Sequence, residues 1–217
     1  MLAAARTRIK ICGLTRTEDV LSAVQAGADA IGLVMYSKSS RAVTVDQARA
    51  LRSAVPAFVS VVCLFVNAPK SEVLETIEQV RPDLLQFHGD ESTDYCQGFG
   101  HRYIRAFRVG APDLDSPEGV LQQCRLYQSA SAWLFDSYSE GYGGSGRKLD
   151  ASLLTAVQEA DDSRSLILAG GLTPESVADS IQQVRPYAVD VSSGVETAPG
   201  VKSSEKIRQF VAAAQGL

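Results

Sequence analysis

Two segments of the chain, VRPDLLQFHG at residues 80–89 and VRPYAVDVSSG at residues 184–194, repeat one order of elements. Each follows an amphipathic stretch, passes through Arg-Pro, continues as a short β-rich run and closes on glycine. A residue that precedes proline is disfavoured in the α region, so a helix is expected to end there. Both segments therefore predict the same unit, in which a helix ends and a strand leads into a glycine loop.

The same alternation runs along the whole chain. Strands are predicted at residues 8–12, 29–35, 58–66, 84–88, 103–109, 132–136, 165–169 and 187–192. Helices are predicted at residues 18–26, 45–55, 70–80, 92–99, 118–127, 151–159, 174–184 and 204–214. Eight such units predict a parallel (β/α)8 TIM barrel, whereas an open doubly wound sheet, the alternative, has no need of eight. No linker divides residues 1–217, so we expect a single domain.

The segment KICGLTR at residues 10–16 is predicted to be the first junction between strand and helix. Gly13 interrupts the alternating run, and Thr15 or Thr17 is expected to cap the helix that follows. Cys12 would then lie at the carboxyl end of a strand, which is where barrel proteins carry their chemistry.

Composition excludes several classes of protein. The chain has 217 residues, a formal net charge of −4 and no basic excess, so we expect no nucleic-acid partner. We find no signal peptide and no run of about 20 apolar residues, so we expect a cytoplasmic protein without a membrane partner. The cysteines are scattered without a CxxC pair, which argues against a disulfide framework or a metal site: Cys12, Cys63, Cys96 and Cys124.

Polar side chains recur at the predicted strand ends, which converge at one end of a barrel. Cys12 and Asp136 are candidates for a base and an acid, since proton transfer needs two groups of separated pKa. A space-filling thiol and a helix-capping aspartate are the alternatives. Arg41, His88 and Asp190 are the further candidate site residues near these strand ends, although a surface arginine and a capping histidine are also open.

Glycine-rich loops follow the last three predicted strands. Glycines let backbone N–H groups approach an anion, and a short helix after strand eight would add partial positive charge. The loops therefore predict a phosphorylated small molecule as substrate, with ordinary turns as the alternative. The candidate phosphate-binding residues are Gly144, Gly146, Gly170, Gly171, Ser193 and Gly194.

The chain resembles the phosphoribosylanthranilate isomerases of tryptophan biosynthesis almost from end to end. The resemblance rests on KICGLTR, GADAIGLVMYSKSSRAV, LFVN, LLQFHGDE, LFDS with GYGGSGRKLD, LAGGLTPESV and VDVSSGVETAPGVK. Two departures lie at predicted helix starts. Leu149-Asp150-Ala151 replaces a pair of an aromatic residue and tryptophan around the aspartate, and Lys202-Ser203 replaces Lys-Asp.

The resemblance implies an Amadori rearrangement. Asp136 matches the general acid that protonates the furanose oxygen, and Cys12 matches the base that takes a proton from the second sugar carbon. Arg41 matches a residue near the anthranilate carboxylate, and Asp190 matches a polar residue near the sugar. No cofactor is implied, because the substrate nitrogen serves as the electron sink.

Three rival functions stay open. A metal-dependent sugar-phosphate epimerase would need converging ligands, and the chain has only His88 and His101 as histidines. A bifunctional isomerase that also serves histidine synthesis would carry paired aspartates at strands one and five. A catalytically silent phosphate-binding barrel is the third. The protein is expected to be a monomer or a homodimer.

Overall fold

The computed structural model describes residues 6–138 and 149–216. In these residues eight strands form a barrel: β1 Arg8–Cys12, β2 Ala30–Val34, β3 Ser60–Phe65, β4 Leu84–Phe87, β5 Tyr103–Val109, β6 Ala132–Ser137, β7 Ser165–Leu168 and β8 Ala188–Val191. The helices between and after them are α1 Thr17–Ala26, α2 Val45–Ser53, α3 Lys70–Val80, α4 Thr93–Gln97, α5 Pro117–Arg125, α6 Thr155–Glu159, α7 Val177–Val184 and α8 Ser204–Gln215.

The barrel is closed and every neighbouring pair of its strands is parallel. The strands follow one another in chain order, and β8 pairs with β1 to complete the ring. The predicted TIM barrel is therefore confirmed, and the open doubly wound sheet is wrong. After β8 the chain adds a small antiparallel hairpin, β9 Glu196–Ala198 and β10 Val201–Lys202.

The repeated Arg-Pro segments end helices as predicted. Arg81 follows α3 with φ 54°, and Arg185 follows α7 with φ 50°, so both adopt the left-handed conformation that terminates a helix. Each is followed by proline and then by a strand, β4 or β8. The two segments are thus equivalent in structure as well as in sequence.

Most helix starts lie within three residues of the prediction, and two starts differ in kind. The first helix has Arg16 at its N-cap without a side-chain cap, and the Thr15 hydroxyl instead donates to the Gly200 carbonyl at 2.7 Å. The predicted threonine cap is therefore wrong. Residues 151–159 divide into a 3₁₀ turn, Ala151–Leu154, and the short α6.

Two apolar cores lie on the two faces of the strands. The larger one packs the outer strand faces against the helices and includes Ile9, Ile11 and Phe87. A smaller cluster, which includes Ile104 and Leu134, fills the inside of the barrel. Because successive strand residues point to opposite faces, the inner face of β1 carries Lys10 and Cys12. No helix in the described residues is long and apolar enough to cross a membrane.

Candidate active site

One pocket opens at the carboxyl ends of the strands, with an empty volume of about 760 Å³ that includes its solvent-filled mouth. All five polar side chains predicted from the strand ends line it: Cys12, Arg41, His88, Asp136 and Asp190. Four of the six predicted phosphate-binding residues line it as well: Gly170, Gly171, Ser193 and Gly194. Gly144 and Gly146 lie outside the described residues. Residues far apart in sequence therefore share one site.

Cys12 is the last residue of β1 and is 6% exposed. Gly13 follows it with φ 75°, a conformation that glycine adopts without strain, and turns the chain towards α1. Burial raises the pKa of the Cys12 thiol above its usual value, and the neighbouring Lys10 only partly offsets this effect. The thiol is therefore the main form of Cys12 near neutral pH.

Asp136 lies near the end of β6 and contacts the imidazole of His88, which in turn contacts Gln86. Its Oδ1 accepts a hydrogen bond from the Ser137 amide at 2.8 Å, and its Oδ2 lies 3.5 Å from His88 Nε2. His88 Nδ1 in turn lies 3.2 Å from the Nε2 of Gln86. His88 lines the pocket, and the helix that follows it, α4, is capped by Ser92, so the capping role left open for His88 is wrong. Gln86 orients the imidazole beside the carboxylate.

Gln86 has a buried oxygen in addition to this contact. Its Oε1 is one of two buried side-chain atoms in the described residues without a hydrogen-bond partner. A buried, unpaired acceptor is costly, and Gln86 lines the pocket. This oxygen is therefore an unpaired acceptor on a residue that lines the pocket.

Asp190 forms a buried ion pair on the inner barrel face. Its Oδ1 accepts a hydrogen bond from Lys10 Nζ at 2.9 Å, and the two residues are direct partners in the pairing of β1 with β8. Their side chains are only 5% and 8% exposed. Asp190 therefore faces the pocket with one of its oxygens already engaged.

Arg41 is also held by a carboxylate. Its Nε and Nη2 donate to the two oxygens of Glu196 at 2.8 and 2.7 Å. Glu196 Oε1 accepts a further hydrogen bond from Lys202 Nζ at 2.7 Å, and Lys202 also donates to the Ser192 carbonyl. Burial would raise the pKa of Glu196, but Arg41 and Lys202 hold it below its usual value. Arg41 is therefore not a free surface arginine, because Glu196 fixes the plane of its guanidinium.

The loops after β7 and β8 approach each other and the site through their backbones. Gly170 has φ 82°, and a Cβ atom there would lie 2.7 Å from the Ser137 amide and 3.1 Å from Asp136 Oδ1. A Cβ atom on Gly194 would overlap the Leu172 carbonyl oxygen. The turn predicted after β8 is present as a 3₁₀ turn, Ser193–Val195. Glycine is thus required where these loops meet.

Several site residues were not predicted individually. The period of two along a strand places Lys10 on the face of Cys12 and Gln86 on the face of His88, which is a signal the sequence contains. Gly32, opposite Cys12 on β2, and the Glu196 partner of Arg41 depend on pairing between distant segments. In the described residues, no group of three or more His, Cys, Asp and Glu side chains is arranged to hold a metal ion.

The two departures from the family pattern lie at helix starts. The Asp150 side chain accepts a hydrogen bond from the Ser152 amide and caps the 3₁₀ turn. The Ser203 side chain accepts from the Lys206 amide and caps α8. Both substituted segments therefore keep a side-chain cap, and neither Asp150 nor Ser203 lines the pocket.

The closed barrel and its polar pocket at the strand ends define a (β/α)8-barrel protein of the kind that carries its active site on the carboxyl face. The family model of N-(5'-phosphoribosyl)anthranilate isomerase matches residues 9–213. The chain belongs to this family.

Individual relatives agree with the family model. An N-(5'-phosphoribosyl)anthranilate isomerase of Bordetella bronchiseptica is 60% identical over 208 residues, which cover 96% of this chain and 95% of that one. Another from Pseudomonas fluorescens is 54% identical over 205 residues, 94% and 96% of the two chains. A crystal structure of phosphoribosyl anthranilate isomerase from Thermotoga maritima matches with a TM-score of 0.87 at 38% identity, and covers 97% of this chain and 100% of that one.

Proposed function

We propose that this protein converts N-(5'-phosphoribosyl)anthranilate into 1-(o-carboxyphenylamino)-1-deoxyribulose 5-phosphate, an Amadori rearrangement in tryptophan biosynthesis. The observation that carries the proposal is that Cys12 and Asp136, a thiol and a carboxyl group, end two strands of one barrel and line one pocket. The family supports it, as does a solved relative at 36% identity that is described in complex with the reduced form of the same ketose phosphate.

The reaction is an isomerisation with no net change of atoms, and its first two steps are proton transfers by an acid and a base. Asp136 donates a proton to the furanose ring oxygen, the bond from that oxygen to the first sugar carbon breaks, and the nitrogen lone pair forms the C=N bond of a protonated Schiff base. Cys12, as its thiolate, then takes the proton from the second carbon. The electrons of that bond move towards nitrogen and give an enolamine, which tautomerises to the ketone. The acid and base are separate groups, as general acid–base catalysis requires.

The proposed substrate orientation follows from the sides of the pocket. The phosphate binds to backbone N–H groups of the loops after β7 and β8, and Gly144 and Gly146, which lie outside the described residues, stay predicted phosphate-binding residues from the sequence. Arg41, whose guanidinium plane is fixed by Glu196, pairs with the anthranilate carboxylate, since a planar fork suits a planar acid. His88 and Asp190 contact the sugar. The loops supply shape and partial positive charge for the phosphate.

The remaining properties are proposed from sequence and chemistry. Residues 1–217 form a single domain that acts on a phosphorylated small molecule, without a nucleic-acid or membrane partner, in the cytoplasm. It works as a monomer or a homodimer; one solved relative from Thermotoga maritima, 34% identical, is described as monomers made from a dimeric enzyme. No metal or cofactor is required, because the substrate nitrogen accepts the electrons.

A coupled assay tests the function. Anthranilate, phosphoribosyl pyrophosphate and the preceding transferase generate the substrate, and its fluorescence is followed after the purified chain is added. We expect the fluorescence to fall at the same rate before and after dialysis against EDTA. A substrate signal that persists at high protein concentration contradicts the proposal, and a loss of activity that zinc or magnesium restores contradicts the metal-free mechanism.

A further inference from the structure

An ammonium group lies below the pocket and has no part in the proposed steps. Lys10 is only 4% exposed and donates to Asp190, which is itself buried. Although burial alone would lower the pKa of Lys10, the Asp190 carboxylate raises it above its usual value, so the amine stays charged. A buried ion pair is often no more stabilising than apolar residues of similar volume, so the pair calls for a reason other than stability.

The place of Lys10 on β1 supplies that reason. Lys10 and Cys12 are two residues apart on one strand and therefore share the inner barrel face. Asp190 is the direct partner of Lys10 across the β1–β8 pairing. The ammonium is thus anchored by a carboxylate on the same inner barrel face as the Cys12 sulfur, and its charge lowers the pKa of the thiol against the effect of burial.

The charges around the sulfur favour one further anion. Among the described residues, three cations interact electrostatically with the Cys12 thiol: Lys10, Lys202 and Arg41. Asp190 is the anion that interacts with it directly, and it raises the pKa of the thiol. Glu196 balances part of this charge by pairing with Arg41 and Lys202. The cations that act on Cys12 outnumber the one anion that acts on it directly, which favours a thiolate there. Of the cations, Lys10 is the one on the strand of Cys12.

We propose that Lys10 is a positioning residue for Cys12, whose ammonium, held by Asp190, faces the sulfur and stabilises the thiolate. This inference rests on the proposed function, in which that thiolate removes the substrate proton. Lys10 does not line the pocket, so it touches neither the substrate nor the reacting carbon, and it acts on the base through the sulfur. Its effect is electrostatic, so it depends on the charge of the side chain more than on its shape.

The test measures the alkylation rate of each cysteine with iodoacetamide by mass spectrometry, from pH 6 to pH 10, because the thiolate is the reacting form. The variants are Lys10→Gln, which removes the charge, and Lys10→Arg, which keeps it. We expect Lys10→Gln to slow Cys12 alkylation at pH 8 by about tenfold, the effect of one pKa unit, and to move the pH midpoint upward. Lys10→Arg is expected to retain most of the wild-type rate.

The other cysteines report folding within the same experiment. Cys63, Cys96 and Cys124 are buried, and burial raises the pKa of Cys63 and of Cys96 to about 12. They should stay unlabelled in every folded variant. A second variant, Asp190→Asn, gives the opposite sign, because it removes the anion that opposes the thiolate and leaves the ammonium to the sulfur. We expect it to speed Cys12 alkylation, so the proposal stays testable if Lys10→Gln unfolds.

Two results would overturn the proposal. One is an unchanged Cys12 pH profile in folded Lys10→Gln, and the other is slower alkylation in Asp190→Asn. An equal slowing in Lys10→Gln and Lys10→Arg would also contradict it, since shape rather than charge would then matter. Failure of the proposed function looks different: Lys10→Gln would shift the alkylation profile of Cys12 while turnover in Cys12→Ser stayed at the wild-type level.

Discussion

Gly32 lies directly opposite Cys12 across β1 and β2, so close that a Cβ atom on Gly32 would stand 2.6 Å from the cysteine sulfur. The same atom would lie 3.1 Å from the Cys12 Cα atom, so the sulfur cannot simply turn away without strain on the strand. The absence of a side chain at Gly32 therefore leaves the space that the Cys12 thiol occupies.

We expect Gly32→Ala to lower kcat by about 10–100-fold with little change in KM, because a displacement of about 1 Å at a reacting group is enough for such a loss. Steady-state kinetics measure this effect. Gly100→Ala is the matched control: Gly100 has φ 58°, and a Cβ atom there would have no neighbour within 4 Å, so the change carries only a backbone cost of about 1 kcal/mol. Wild-type kcat in folded Gly32→Ala would contradict the assigned role of Cys12.

Local patterns in the sequence were sufficient for the barrel. Arg81 and Arg185 end helices because their own neighbours dictate it, and the helix predicted at residues 70–80 has those bounds in the structure. The threonine cap of α1 failed for the opposite reason, because Thr15 finds a partner in Gly200, which only the closed barrel brings near. Local rules therefore decide the elements and some of their ends, whereas the start of α1 depends on a tertiary contact.

The residues of the site also divide into those that the local sequence predicts and those that depend on tertiary contacts. Strand-end positions predicted that Cys12 and Asp136 would lie close together, because every parallel strand of a barrel ends on one face, and both line the pocket. Their charged neighbours were not predicted, since Lys10 meets Asp190 only when β8 closes against β1. The guanidinium of Arg41 was predicted to pair with the substrate carboxylate, and in the structure two of its nitrogens donate hydrogen bonds to Glu196. A pairing between segments so distant leaves no local pattern.

The glycine loop after β7 gives a prediction for phosphate binding. Gly171 lines the pocket with φ 67°, so Gly171→Val both strains the backbone and blocks close approach of an anion. We expect KM for the phosphorylated substrate to rise at least about tenfold, while kcat/KM for a dephosphorylated substrate, already poorly bound, changes little. Parallel kinetics on the two substrates measure this difference. Equal losses for both would indicate a folding defect instead of a lost phosphate contact.

Glu196 gives a prediction for stability and its pH dependence. The carboxylate holds Arg41 and Lys202, and Glu196→Gln removes one partner of a buried ion cluster, which should cost about 3 kcal/mol of unfolding free energy at pH 7. The pKa of Glu196 is lowered in the folded state, so this stabilisation is present above its unfolded pKa of about 4.5 and is lost as pH falls through the folded value.

Urea unfolding of the two proteins between pH 3 and pH 8 measures the difference. The wild-type advantage should be full above about pH 5 and should shrink below pH 4.5. Glu205→Gln is a matched control, because Glu205 is an exposed residue of α8 that pairs with Arg208. Its effect should stay below about 1 kcal/mol. A pH-independent difference for Glu196→Gln would contradict an ionic origin.

The sharpest test concerns the thiol itself. If Cys12 is the base, Cys12→Ser replaces the thiol by a hydroxyl group. A free cysteine has a pKa of about 8.5, so its thiolate forms far more readily near neutral pH than the alkoxide of serine does. We expect kcat to fall by about 10²–10⁴-fold or more. KM should change little, because proton transfer to the base stabilises the transition state and not the bound substrate. Asp136→Asn should be comparably impaired, since the amide cannot donate the proton that the ring oxygen needs.

Cys63→Ser is the control for Cys12→Ser. Cys63 is buried inside β3 and does not line the pocket. The substitution Cys63→Ser should therefore leave kcat nearly unchanged. Substrate deuterated at the second sugar carbon adds an independent measurement, because a primary isotope effect appears where transfer of that proton limits the rate. If Cys12→Ser keeps near-wild-type kcat, the thiol at the end of β1 only fills space, and the base must be another of the side chains that line the pocket.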